Sequence, residues 1–174
     1  MTSPNERAAR AAGDPLPAAT AGVVMAGARI LCGMLWLSNV GWKRSPFRTV
    51  RSFIERGIEE ETLPAFTPLL RFARDNISWL GWGVLLVEAF LGAFLLLGFL
   101  TRFWALVGVA QSLLIGLTVA NVTGEWGWSY WMMAAAHAAL FATAAGRTAG
   151  LDGVVRPIAI ERGGSFGRVM RWAA

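Results

Sequence analysis

The chain has 174 residues, of which 55% are hydrophobic and 16% charged, with a mean hydropathy of +0.49. Soluble domains carry roughly 25% charged residues, so this composition leans toward the membrane. Its net charge of +5 does not point to nucleic acid, because most of the arginines flank apolar segments, where they suit anionic lipid headgroups. A single cysteine, Cys32, excludes an intramolecular disulfide and any CxxC redox or metal site within the chain.

Residues 1–17 mix Pro, Ala, Gly and charges without periodicity and are expected to form a mobile tail. No cleavable signal peptide is expected, since the first apolar run contains Arg29 and lacks a convincing cleavage site. That run, 18–40, is long enough to span a bilayer; its Gly22, Ala26 and Gly33 would let a neighbouring helix approach closely. Trp36, Trp42, Lys43 and Arg44 close it as an aromatic and basic interface anchor. Between 47 and 74 two short amphipathic helices are predicted. Phe47, Val50, Phe53, Ile54 and Ile58 share one face of the first, and Phe66, Leu69, Leu70 and Phe72 mark the second. They would lie on the membrane surface or cap the bundle; a plain connecting loop is the alternative.

The second span, 79–100, carries one charge, Glu88, near its middle. An ionisable group at that depth costs at least a few kcal/mol and requires a partner or a water-filled cavity. A short link at 100–102 leads to the third span, 103–122, with Gln111 halfway along, so these two are antiparallel neighbours. After a small turn, the fourth span, 128–145, follows an aromatic belt of Trp126, Trp128, Tyr130 and Trp131 and holds His137 near its centre. The remainder, 148–174, is a basic tail. The predicted architecture is therefore all-α: an integral membrane four-helix bundle over 18–147, with amphipathic helices between spans one and two. Four spans put both termini on one side with eight basic residues against seven on the other. The turn free of positive charge and the basic tail favour cytoplasmic termini in a plasma (inner) membrane.

Lined up by depth, Arg29, Glu88, Gln111 and His137 fall near the middle of one helix each, which predicts a polar layer in the bundle interior and an Arg29–Glu88 ion pair. The layer reads two ways: as a lock on helix packing, or as a pocket in which Arg29 and Gln111 donate hydrogen bonds while Glu88 and His137 move protons. His137 is read first as a structural histidine bonded to Gln111 or Glu88, with the proton relay as the alternative. Trp128 fits an interface anchor or an aromatic entrance for a quinone ring. Haem is not expected, because Met133 and His137 share a helix and cannot take opposite axial positions, and there is no second His. No metal site is expected without a further cluster of ligands.

The first span, GARILCGMLWLSNVGWKR, resembles the opening of the DoxX/DoxD membrane-protein family through Arg29, Gly33, Gly41 and Lys43. Glu88, Gly92, Gly98, Thr101 and Arg102 are similar to its second-span pattern, and Gly146, Arg147, Leu151 and Asp152 to its closing Gly-Arg…Leu-Asp signature. WGWSY at 126–130 leans to the DoxD branch. The resemblance spans roughly 20–155 and implies the small membrane subunit of a thiosulfate:quinone oxidoreductase, working beside a separate partner subunit. On that reading quinone is the expected cofactor, and Glu88, His137, Arg29, Gln111 and Trp128 are the expected site. The chain itself has no cofactor motif, so catalysis by it alone is not expected. The competing functions are a non-catalytic scaffold or accessory subunit that docks a larger complex through 43–76, and a small transporter.

Overall fold

The computed structural model describes residues 18–60 and 63–174, and the tail expected at 1–17 lies outside them. In chain order the helices are α1 (Ala18–Val40), α2 (Arg48–Glu59), α3 (Thr67–Asp75), α4 (Ile77–Leu97), α5 (Thr101–Val119), α6 (Gly127–Thr143), α7 (Asp152–Arg162) and α8 (Gly164–Ala173), with one 3-10 turn, Pro64–Phe66, between α2 and α3. Among the described residues helix is the sole regular structure. Three of these helices, α1, α4 and α5, are long and apolar enough to cross a membrane. The fourth expected span corresponds to α6, which is 17 residues long and packs along α5.

Apolar residues surround the three long helices, so apolarity alone does not select the inward face. Small and polar residues do. Ala26, Arg29 and Gly33 of α1, Gly81, Glu88 and Gly92 of α4, and Thr101, Gly108, Ser112 and Gly116 of α5 are buried. Large side chains such as Leu31, Phe90 and Leu97 are more than half exposed and form the face available to lipid. Lipid tails are as apolar as leucine, so helices associate in a membrane through close packing and internal hydrogen bonds. A close approach of backbones joins α1 to α4. A Cβ added at Gly33 would sit 2.9 Å from the Gly92 carbonyl oxygen, and one at Gly92 would sit 2.9 Å from that of Gly33. This contact fixes the antiparallel register. The core is completed by Cys32, Trp36, Leu91, Leu95, Ala105, Leu140 and Ala145.

One end of the bundle is sewn together by hydrogen bonds. α4 stops at Gly98, whose φ of 63° only glycine adopts freely, and the Phe99 N–H returns to Phe94 O at 3.0 Å. α5 starts two residues earlier than expected because the buried Asp152 carboxylate accepts the Leu100 and Thr101 N–H groups at 2.7 and 2.9 Å. The Leu151 and Asp152 N–H groups in turn reach Leu97 O and Gly98 O at 3.0 and 2.9 Å. Gly146 and Gly150 lie so close to Thr101, Asp152 and Gly98 that a side chain at either would collide with them.

The opposite end is roofed by α2 and α3, which lie across the start of α4 and the end of α5. Phe47 anchors this roof. Its ring is buried over Gly81, edge-on to Trp82 at 5.4 Å, and its backbone is held at φ 59° to put it there. The far end of α2 is tied to the 120–126 turn: Thr123 donates to Glu60 from its backbone N–H at 2.7 Å and from its hydroxyl at 2.9 Å. Those two bonds, backbone first, hold the Glu60 carboxyl below the ordinary carboxylate range, with a smaller contribution from Arg56.

Candidate functional site: a polar floor under an apolar roof

Between the roof and the bundle lies a cavity of about 650 Å³. Val50, Phe53 and Ile54 of α2 and Leu69, Leu70 and Phe72 of α3 form its roof, while Leu80, Val84, Leu114 and Ile115 form its walls. The hydrophobic periodicity of 47–74 thus serves an interior: the apolar faces of α2 and α3 turn down toward the cavity and their arginines turn away.

Three polar side chains make the floor. Glu88, fully buried on α4, has one carboxylate oxygen paired with the Lys43 ammonium and the other 3.4 Å from the Gln111 amide nitrogen of α5. Lys43 is only 8% exposed, although it belongs to the turn after α1. It reaches Glu88 because α1 is offset along α4. With Gly33 opposite Gly92, α1 ends about level with Leu85, leaving the first turns of α4 to rise beyond it under the roof. The Lys43 stem then runs down along α4, with its ammonium 4.8 Å from the Trp42 ring. One ammonium proton serves Glu88 and the others are available to the cavity.

The expected Arg29–Glu88 pair does not form, and the register explains why. With Gly33 opposite Gly92, Arg29 falls level with Leu96, about 12 Å along the axis from Glu88 at 1.5 Å per residue. Matching helix midpoints had assumed that both helices are centred on the same plane; the glycine contact slides α1 by about two turns. Arg29 is fully buried and donates to Leu95 O, to Leu96 O at 2.9 Å and to Ala149 O at 2.8 Å, closing the carbonyl end of α4.

His137 is equally buried but lies outside the cavity lining. The indole N–H of Trp36, which can only donate, reaches His137 Nε2 at 2.9 Å, so that nitrogen is an acceptor. The proton then resides on Nδ1, 2.7 Å from Met133 O. Both ring nitrogens are engaged, and Gly108 leaves room for the ring. Trp128 is 59% exposed, stacks on Trp126 at 6.0 Å and does not line the cavity. Of the five expected site residues, Glu88 and Gln111 come together; Arg29, His137 and Trp128 do not join them. Among the described residues no three His, Cys, Asp or Glu gather in a metal-binding cluster.

Residues 66–161 match the family described as "TQO small subunit DoxD". The chain belongs to the DoxD family. The match begins at the 3-10 turn before α3 and runs into α7, so it contains Glu88, Gln111 and His137 while α1 and Lys43 precede it. With this family and three helices able to cross a bilayer, the chain is a membrane protein. No curated protein and no solved structure matched it.

Lys43 is the site residue that sequence reasoning assigned elsewhere, as an interface anchor. The residues before it, Ser38, Asn39 and Gly41, read as a helix end at the interface, and nothing in them points the lysine inward. Asp152 was noted only as part of a signature, and its work as the cap of α5 depends on a contact across some fifty residues of chain.

Proposed function

We propose that this chain is the membrane-embedded small subunit of a quinone-linked oxidoreductase acting on a sulfur compound such as thiosulfate, and that its cavity holds the quinone headgroup. α1, α4, α5 and α6 act as four spans of one bundle in the plasma membrane, with both termini cytoplasmic, and a separate subunit carries the sulfur chemistry. The observation that supports this reading most directly is the apolar cavity with a Lys43–Glu88–Gln111 floor. Its volume lies within the range of roughly 300–1,000 Å³ usual for small-ligand sites, and its walls are apolar with a few convergent polar groups.

The donor set suits a quinone. A ring with two carbonyls calls for hydrogen-bond donors at its oxygens and apolar contact on its faces. Lys43 Nζ and Gln111 Nε2 are the donors, and Leu80, Val84, Leu114 and Ile115 supply the faces. When bound, the quinone supplies the electron and proton acceptor of the reaction. The protein's part is to orient it and to manage the proton. Glu88 holds the Lys43 ammonium in place and offers a carboxylate that takes up or releases a proton beside the Gln111 amide. The apolar roof and walls lower the polarity around the floor, which strengthens its hydrogen bonds. His137, with both nitrogens engaged, positions α1 against α6 and takes no part in proton transfer.

The test is quinone content. The chain, purified with its partner subunit in mild detergent, is expected to retain quinone, and Val84→Trp, which fills the cavity, is expected to abolish retention while leaving the assembly intact. Arg29→Gln, far from the floor, should alter folding stability more than quinone content. Undiminished retention in Val84→Trp would overturn the site. A complex without quinone whose activity survives that substitution would favour the accessory-subunit reading.

A further inference from the structure

The floor of the cavity answers one oxygen of a quinone and leaves the other without a donor. Lys43 and Gln111 reach the two oxygens of one carboxylate, Glu88, so they stand side by side and serve the end of the ring that points down between them. The cavity has a second polar pair. Tyr130, the chain's one tyrosine, lines it from α6, and Glu125 lines it from the turn before that helix. The Tyr130 hydroxyl donates to Glu125 Oε2 at 2.8 Å. Of the other polar residues in the lining, Asn39 and Thr118 are bonded within their own segments.

This pair sits above the floor. A Cβ added at Gly116 would meet the Tyr130 Cβ at 3.1 Å, so Tyr130 is level with Gly116, one turn and a half beyond Gln111 on α5. At 1.5 Å per residue that places it about 7–8 Å along the bundle toward the roof. A six-membered ring with an oxygen at each end, hydrogen-bonded at both, fits a gap of that order. Glu125 is also the link to water. Its side chain is 16% exposed, and its other oxygen, Oε1, lies 3.9 Å from the more exposed guanidinium of Arg56 on α2. Arg56 is held there by the Phe53 ring at 4.5 Å and by Thr123 O at 3.4 Å, while Glu60 is committed to Thr123.

We propose that Tyr130 is the donor to the far oxygen of the quinone and that Glu125 restores its proton from solvent, an inference that rests on the quinone reading of the cavity. Two-electron reduction of a quinone adds one proton at each oxygen, the electrons coming from the sulfur compound through the partner subunit. At the far oxygen the phenol O–H bond breaks and its proton passes to the ring oxygen, while the Glu125 carboxyl passes a proton to Tyr130 Oη. Tyr130 ends neutral and Glu125 ends ionised beside Arg56, and Glu125 then takes a proton from water. The near oxygen takes its proton from the floor. The 2.8 Å contact serves both directions of the bond: Tyr130 donates to the carboxylate, and the protonated carboxyl donates to Tyr130.

In the experiment the chain, assembled with its partner subunit, is loaded with a short-chain benzoquinone carrying heavy carbon at one carbonyl or the other, and infrared difference spectra resolve the two carbonyl stretches. Tyr130→Phe removes the hydroxyl and keeps the ring. It is expected to raise the frequency of the far carbonyl band, leave the near band in place and weaken benzoquinone affinity about fivefold, the loss of one neutral hydrogen bond. Glu125→Gln is expected to leave affinity unchanged and to slow turnover about a hundredfold, as removal of a general acid does. Arg51→Gln, on the exposed side of α2, should change neither. Unmoved bands in Tyr130→Phe, both bands moving together, or undiminished turnover in Glu125→Gln would overturn the assignment. A wild-type complex that takes up no benzoquinone would overturn the cavity reading and this inference with it, whereas equal uptake by wild type and Tyr130→Phe would remove the Tyr130 donor alone.

Discussion

Replacing Lys43 by methionine removes the one cation that touches Glu88 among the described residues. The carboxylate is fully buried, and what remains is a long contact of 3.4 Å to the Gln111 amide. Breaking a buried ion pair by removing one partner costs about 3–5 kcal/mol, because the other charge is left uncompensated. Glu88→Gln should cost less, about 1–3 kcal/mol, since the Lys43 stem starts near the surface and its ammonium can swing back toward water. The double variant Lys43→Met/Glu88→Gln then carries neither buried charge and should be less destabilised than Lys43→Met alone, a coupling of about 2 kcal/mol or more. Unfolding of the four proteins by dodecyl sulfate titration in mixed micelles measures the cycle. A second cycle with Arg29→Gln and Glu88→Gln should be additive within about 0.5 kcal/mol, because residues some 12 Å apart without shared partners do not couple. An additive Lys43–Glu88 cycle, or strong coupling between Arg29 and Glu88, would refute the register on which the site rests.

The same geometry gives three further expectations. Asp152→Ala strips the acceptor from two N–H groups at the start of α5 and should lower stability by about 2 kcal/mol in the same titration, whereas a conventional exposed cap would lose about 1 kcal/mol. Gly33→Val drives a branched side chain against the Gly92 carbonyl and should cost about 1–3 kcal/mol, with Gly27→Val, where nothing lies within 4 Å, near neutral. Glu60 has a depressed carboxyl pKa, so the stability it lends the roof is present above the ordinary Glu value of 4.5 and is lost as pH falls through the lower folded value. Amide hydrogen exchange at Thr123 should therefore lose its protection on acidification, and Glu60→Gln should remove most of that protection at neutral pH.

Much of the fold was legible because it is written in length and hydropathy. The first span ends where the apolar run ends, at Val40, and the amphipathic period of 47–74 resolved into α2 and α3. What a local pattern does not carry is the axial offset of one helix against another. Arg29 and Glu88 each sat at the centre of an apolar run, and only the Gly33–Gly92 contact separates them. The same contact left Glu88 to a lysine outside the span. The stop of α4 at Gly98 was available in principle, since glycine followed by Phe-Leu-Thr reads as a helix end; the continuing apolar character of Phe99 and Leu100 concealed it. The Trp36–His137 hydrogen bond joins residues 101 apart in sequence, and nothing along either helix announces it.

The two ends of the bundle differ in kind, and that difference limits what the molecule can do. At one end the carbonyls of α4 are closed by Arg29, the start of α5 is held by Asp152, and glycine backbones touch. At the other, two short helices held by Phe47 and the Glu60–Thr123 bonds cover an open space. The roofed end is therefore the one expected to breathe, and the cavity lies directly beneath it. On the quinone reading, a guest held under the roof is expected to enter and leave by that end. Alternating access would require the sewn end to part as well, at the cost of the hydrogen bonds that hold it.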